Sequence, residues 1–223
     1  MDTSNTTDLM PSPPMSSMAS PSSEPPAGLL TVPLEIRLQI YSYLLEVPEF
    51  SPYTLPSKKA PVAGALLRTN RQINWEATPY LYAHNTFVAH PTLLTSFPRL
   101  RPNVRPVSDS YAVSLIHRFH LTVHLDSDLP FDAEALTKSF TGTEELTLHL
   151  VQSMFCGAGY ANLRQFEGIR GVKRVTIEGS TTGLEDYIEW LRKTMMSEPD
   201  APMEEFKHET VTLTDRLARG YLA

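Results

Sequence analysis

Between Val32 and Leu45 the hydrophobic positions fall on two separate faces of one short helix. At 100° per residue Leu34, Leu38, Tyr41 and Leu45 line up on one side, and Ile36, Ile40, Tyr43 and Leu44 on the other. Glu35, Gln39 and Ser42 form the only continuous polar strip. Pro33 suits the first helical position, Glu35 suits the first turn beside the positive end of the helix dipole, and Pro48 stops the segment. A surface helix needs one apolar face. The second must be covered by more of the chain or by another protein. Full burial of four such side chains is worth about 6–12 kcal/mol as an upper estimate, which rivals the net stability of a domain, about 5–15 kcal/mol.

Downstream, Pro48, Pro52, Pro56 and Pro61 predict an irregular connection. Helix resumes over residues 63–69, and Asn70 is placed to cap a second helix running to about Tyr82, with Ile73, Ala77, Tyr80 and Leu81 on one stripe. Pro79 is expected to kink or split it. Residues 85–88 read as a turn into a short strand and residues 91–97 as a short helix. The pattern then changes to period two at residues 119–125, 145–150 and 173–178, as in half-buried strands. Their core sides are Phe119, Leu121, Val123 and Leu125, then Leu146, Leu148 and Leu150, then Val175 and Ile177. An apolar-Thr-apolar unit recurs at Thr122, Thr147 and Thr176, 25 and 29 residues apart, a spacing like that of leucine-rich repeats but without their Asn or Cys ladder. Helices are expected between and after these strands, at residues 133–140, 160–166 and 184–195. Strand-helix alternation predicts a parallel sheet with helices on one side. The fold class is α+β: a disordered Ser/Pro-rich tail (1–28), a helical domain (29–90), a repeat-like β/α sheet domain (91–196), and a C-terminal loop and short helix (197–223).

The run Val32-Pro33-Leu34-Glu35-Ile36-Arg37 with Ile40, Tyr43 and Leu44, followed by Leu66-Leu67-Arg68-Thr69-Asn70-Arg71-Gln72-Ile73, Glu76-Ala77, Pro79-Tyr80-Leu81-Tyr82, Asn85 and Phe87, resembles the F-box-like proteins abundant in filamentous fungi. The resemblance covers about residues 30–88. It implies a Skp-type adaptor of a cullin-RING ubiquitin ligase as partner, with Val32, Pro33, Leu34, Ile36, Ile40 and Leu44 at the contact, and an unknown target protein held elsewhere. The connection over residues 46–61 is longer than the family's usual loop, and Asn70 stands where the family often has Cys.

Composition narrows the function classes. The net charge of −6 carries no footprint for nucleic acid or an anionic membrane, and no run of 18 apolar residues exists to span one. The first residues lack a cationic stretch followed by an apolar core, so a cytoplasmic or nuclear location is expected. One cysteine, Cys156, excludes an intrachain disulfide and reads as a structural thiol. His117, His120 and His124 would share a face only on a helix, and on a strand they do not. Asp126, Asp128 and Asp132 imitate a calcium loop, but Phe131 and Thr137 stand where that loop needs Gly and Glu. If the strands align through their threonines, His124, His149 and Glu178 fall in one row, a His-His-Glu set of the kind that holds zinc. Polar residues on one side of a strand need no ligand to explain them, so the expectation is no metal and no cofactor. With no nucleophile elbow, phosphate cradle or dinucleotide motif, a non-catalytic protein is expected. Three readings follow: a ubiquitin-ligase substrate receptor, a related interaction module without ligase coupling, or an enzyme using the His124, His149, Glu178 row or Cys156.

Overall fold

A short helix with one charged and two apolar flanks can pack only if the charge is answered, and the first helix finds its answer on the second. In the computed structural model, which describes residues 28–48, 62–153, 159–202 and 205–206, α1 spans Leu34–Leu45 and α2 spans Arg71–His84. Pro33 sits just ahead of the first turn of α1, with Glu35 inside that turn. The Asn70 side chain accepts a hydrogen bond from the Gln72 N–H at 2.7 Å, capping α2 as its sequence requires. Before it, residues Gly64–Arg68 form a 3-10 helix, within the helical stretch expected there. Pro79 does not split α2. It removes one donor, and the carbonyl it leaves is that of Trp75, a residue 77% exposed.

The sheet follows. Its strands are β1 (Phe87–His90), β2 (Leu94–Arg99), β3 (Arg118–His124), β4 (Glu145–Val151) and β5 (Arg174–Gly179), in spatial order β2-β1-β3-β4-β5. β1, β3, β4 and β5 run parallel, and β2 is antiparallel to β1. The expected parallel, mixed α/β architecture is therefore present. The helix expected over residues 91–97 is not: that segment turns back and pairs as β2. His90 Nδ1 accepts from the N–H groups of Thr92 and Leu93, both at 3.2 Å, and Leu94 takes a left-handed φ of 48°, so the chain reverses where Pro91 suggested a helix start. Pro98 is tolerated because β2 is an edge strand. β1, assigned by its position to the helical half, bonds to β3 and belongs to the sheet.

α4 (Ala133–Phe140), a 3-10 helix at Ala161–Phe166 within the helical stretch expected there, and α5 (Glu185–Met196) cover one face of the sheet. They close a core that includes Phe119, Leu121, Leu146, Leu148, Leu150, Leu136, Phe140 and Leu191. A short helix, α3 (Ser110–Ser114), which no periodicity announced, precedes β3. At the end of β5, Gly179 has φ +98°, and a Cβ there would collide with the Leu150 carbonyl. The tail up to residue 27, most of the Pro-rich connection, the residues where a C-terminal helix was expected and Cys156 lie outside the described residues.

Candidate functional site

Arg37, Tyr41 and Leu45 recur at i, i+4, i+8 and form the buried stripe of α1. They face Ile73, Ala77 and Leu81 of α2, and Leu38, half-buried, packs beside them. The charge within this stripe is matched by Glu76. Arg37 donates through Nε to Oε2 at 2.8 Å and through Nη2 to Oε1 at 2.6 Å, a two-pronged pair in which both side chains are nearly closed off from water. Tyr41 Oη donates to Oε2 at 3.0 Å, and Gln72 Nε2 to Oε1 at 2.9 Å. The Arg37 guanidinium, with further help from Gln72 and Tyr41, holds the Glu76 carboxyl down to about 2 against the opposing effect of burial. Arg37 Nη1 also donates to the Val32 carbonyl, fixing the segment that leads into the helix.

The other end of the pair is tied by Asn85, itself buried. Its Nδ2 donates to the carbonyls of Leu45 at 2.9 Å and Leu81 at 2.8 Å, and its Oδ1 accepts from the Val47 N–H at 2.8 Å. One side chain thus joins the last turns of α1 and α2. Nearby, the Tyr80 hydroxyl donates to Glu46, and burial followed by that carboxylate pushes the phenol up to about 12.

These bonds set the roll of α1, and the roll decides what faces outward. Ile36 and Leu44 are exposed, Ile36 at 44%, Tyr43 is 88% exposed, and Ile40 is half-buried between them. Together they make a continuous arc opposite Tyr41 and Leu45. Leu34, whose position in the helical period predicted an inward side chain, is exposed as well, because it lies in the first turn, ahead of the part packed on α2. Pro33 is exposed and Val32 half-buried at the same end. All six residues named for a partner contact therefore lie at or near the surface, together with Tyr43.

The proposed zinc row does not assemble. β4 and β5 do align Thr147 with Thr176 and His149 with Glu178, but β3 is offset by two residues, so Thr122 stands opposite His149 and His124 opposite Val151. Among the described residues no group of three His, Cys, Asp or Glu side chains is arranged to hold a metal. What the offset does bring together is His120 and His149, both buried, with ring centroids 6.0 Å apart, and His149 Nδ1 lies 3.4 Å from Glu178 Oε1. Burial, with the nearby His149 adding to it, pushes the His120 imidazole down to about 4. The calcium-like acids have local work instead: Asp126 accepts from the Ser153 N–H at 2.7 Å and Asp132 caps α4 through the Ala135 N–H at 2.8 Å.

Comparison with protein-family models, with curated proteins and with solved structures finds no match. Among the described residues no helix is long and apolar enough to cross a membrane. The residues that sequence reasoning missed as functional parts are Arg37, Glu76 and Asn85. The signal was present: opposite charges at Arg37 and Glu76 each interrupt an otherwise apolar helical stripe, which predicts that they meet.

Proposed function

We propose that this chain is an F-box-like, non-catalytic interaction protein, the substrate receptor of a Skp-cullin-F-box ubiquitin ligase acting in the cytoplasm or nucleus. Its adaptor contact is formed by Val32, Pro33, Leu34, Ile36, Ile40 and Leu44, with Tyr43 at the edge of the exposed arc, and the sheet domain holds a target protein. The observation that supports this most is the division of α1 into a buried stripe and an exposed apolar one. Large apolar side chains left in water on a helix locked in place fit a surface that another protein covers.

Ile36→Asp and Leu45→Asp test the reading against each other. A carboxylate at Ile36 stays hydrated until a partner arrives, whereas at Leu45 it must be desolvated within the α1–α2 core at a cost of several kcal/mol. Ile36→Asp is expected to melt like the unsubstituted chain and to lose capture by purified Skp-type adaptor, while Leu45→Asp is expected to unfold the helical half. If the unsubstituted chain, folded by circular dichroism, does not bind the adaptor, the chain is an interaction module without ligase coupling.

A further inference from the structure

A second surface differs in chemistry from the outer face of α1. An open cavity of about 330 Å³ lies where α2 meets α3, lined by Trp75 and Tyr82 from α2 and by Asp109, Tyr111 and Ala112 around the start of α3. Trp75 is 77% exposed and Tyr111 57% exposed, so two large aromatic faces border it in water. Tyr82 is half-buried, and its phenol is pushed up first by burial and then by the Asp109 carboxylate, which places that charge close to the ring.

Asp109 uses Oδ2 to accept from the Ala112 N–H at 3.0 Å, capping α3. Among the described residues no Lys, Arg or His is paired with it, and no cationic side chain lines the cavity. Aromatic faces carry the negative side of their quadrupole outward, so the rings and the carboxylate attract the same sign of charge. An anion would be repelled, and a purely apolar group would desolvate Asp109 without a counter-charge. A planar guanidinium satisfies both features at once, lying against an aromatic face while its N–H fork meets a carboxylate. We propose that this cavity receives an arginine side chain from a partner peptide, held against Trp75 and Tyr111 and paired with Asp109. This site shares no residue with the adaptor face of α1 and stands whether or not that reading does.

The chain contains two tryptophans, Trp75 and Trp190, so Trp190→Phe leaves Trp75 as the only indole. Titrating this full-length variant with the peptide acetyl-Gly-Arg-Gly-amide is expected to give a saturable change in Trp75 fluorescence. The same peptide with neutral citrulline in place of arginine, or the Asp109→Asn variant, which keeps a capping oxygen but loses the charge, is expected to bind about tenfold more weakly or worse. If Trp190→Phe perturbs folding, the two indole N–H resonances of the unsubstituted chain supply the same readout. Equal binding of the citrulline peptide, no effect of Asp109→Asn, or no saturation would overturn the proposal. Ile36→Asp is expected to leave this titration unchanged, which separates its failure from failure of the adaptor reading.

Discussion

The two halves of this chain are held together by different means. Beneath the sheet, twenty-one buried apolar side chains among the described residues form one cluster across β1 to β5, α4 and α5. Among the described residues only five are buried between α1 and α2, Tyr41, Leu45, Ile73, Ala77 and Leu81, and around them run the Arg37–Glu76 pair and the three hydrogen bonds of Asn85. A large core selects its own geometry through packing, since interdigitated side chains leave few alternatives. A core of five residues between two helices has many near-equal arrangements, and directional bonds at each end choose one. The lesson is that the small half is specified by polarity and the large half by volume.

That contrast can be broken from either side. The largest effect is expected from Glu76→Ala, which strands the Arg37 guanidinium in the α1–α2 interface and should destabilise the helical half by about 3–5 kcal/mol. The double substitution Arg37→Met, Glu76→Leu should recover most of this in chemical denaturation while loosening the roll of α1, read as increased amide exchange in that helix. Failure of the single substitution to destabilise would mean that packing alone holds the pair. In the sheet, Leu148→Ala, at the centre of β4, should cost about 2–5 kcal/mol through lost burial and a residual cavity, with no polar compensation available.

Acid should separate the halves more gently. His120 titrates at about 4 when folded and near 6.5 when unfolded, so between those values the unfolded chain binds the proton more readily. The sheet is fully stabilised above pH 6.5 and loses up to about 3 kcal/mol as pH falls toward 4. Glu76 works at lower pH: its depressed carboxyl supports the helical half above about pH 4.5, and that support fades toward pH 2. Melting curves from pH 7 to 4 should therefore fall, and His120→Gln should flatten that slope. An unchanged slope in the variant would show that His120 does not carry it.

Much of the sheet was legible in the sequence because period-two alternation at Phe119, Leu121 and Val123 and at Leu146, Leu148 and Leu150 states which side is buried. Register was not legible. Aligning threonines is right for Thr147 and Thr176 but wrong by two residues for Thr122, since a shift of two keeps every side chain on its own face and leaves the pattern unchanged. The β2 strand was missed for a different reason: its turn is built by the His90 ring and a left-handed Leu94, neither of which is a usual turn residue. On α1 the two apolar faces were visible, but the inward one was drawn through Leu34 instead of Arg37, because hydropathy alone gives no credit to a charge whose partner lies 39 residues away.

The joint made by Asn85 has a kinetic consequence. With both ends of α1 fastened to α2, the helix has no folding or reorientation left to complete when the proposed partner reaches its outer face. Association at that face should then proceed as a single collision-limited step whose observed rate rises linearly with partner concentration, without the plateau that a slow rearrangement imposes. Asn85→Ala unfastens one end, and stopped-flow mixing should then show that plateau appear.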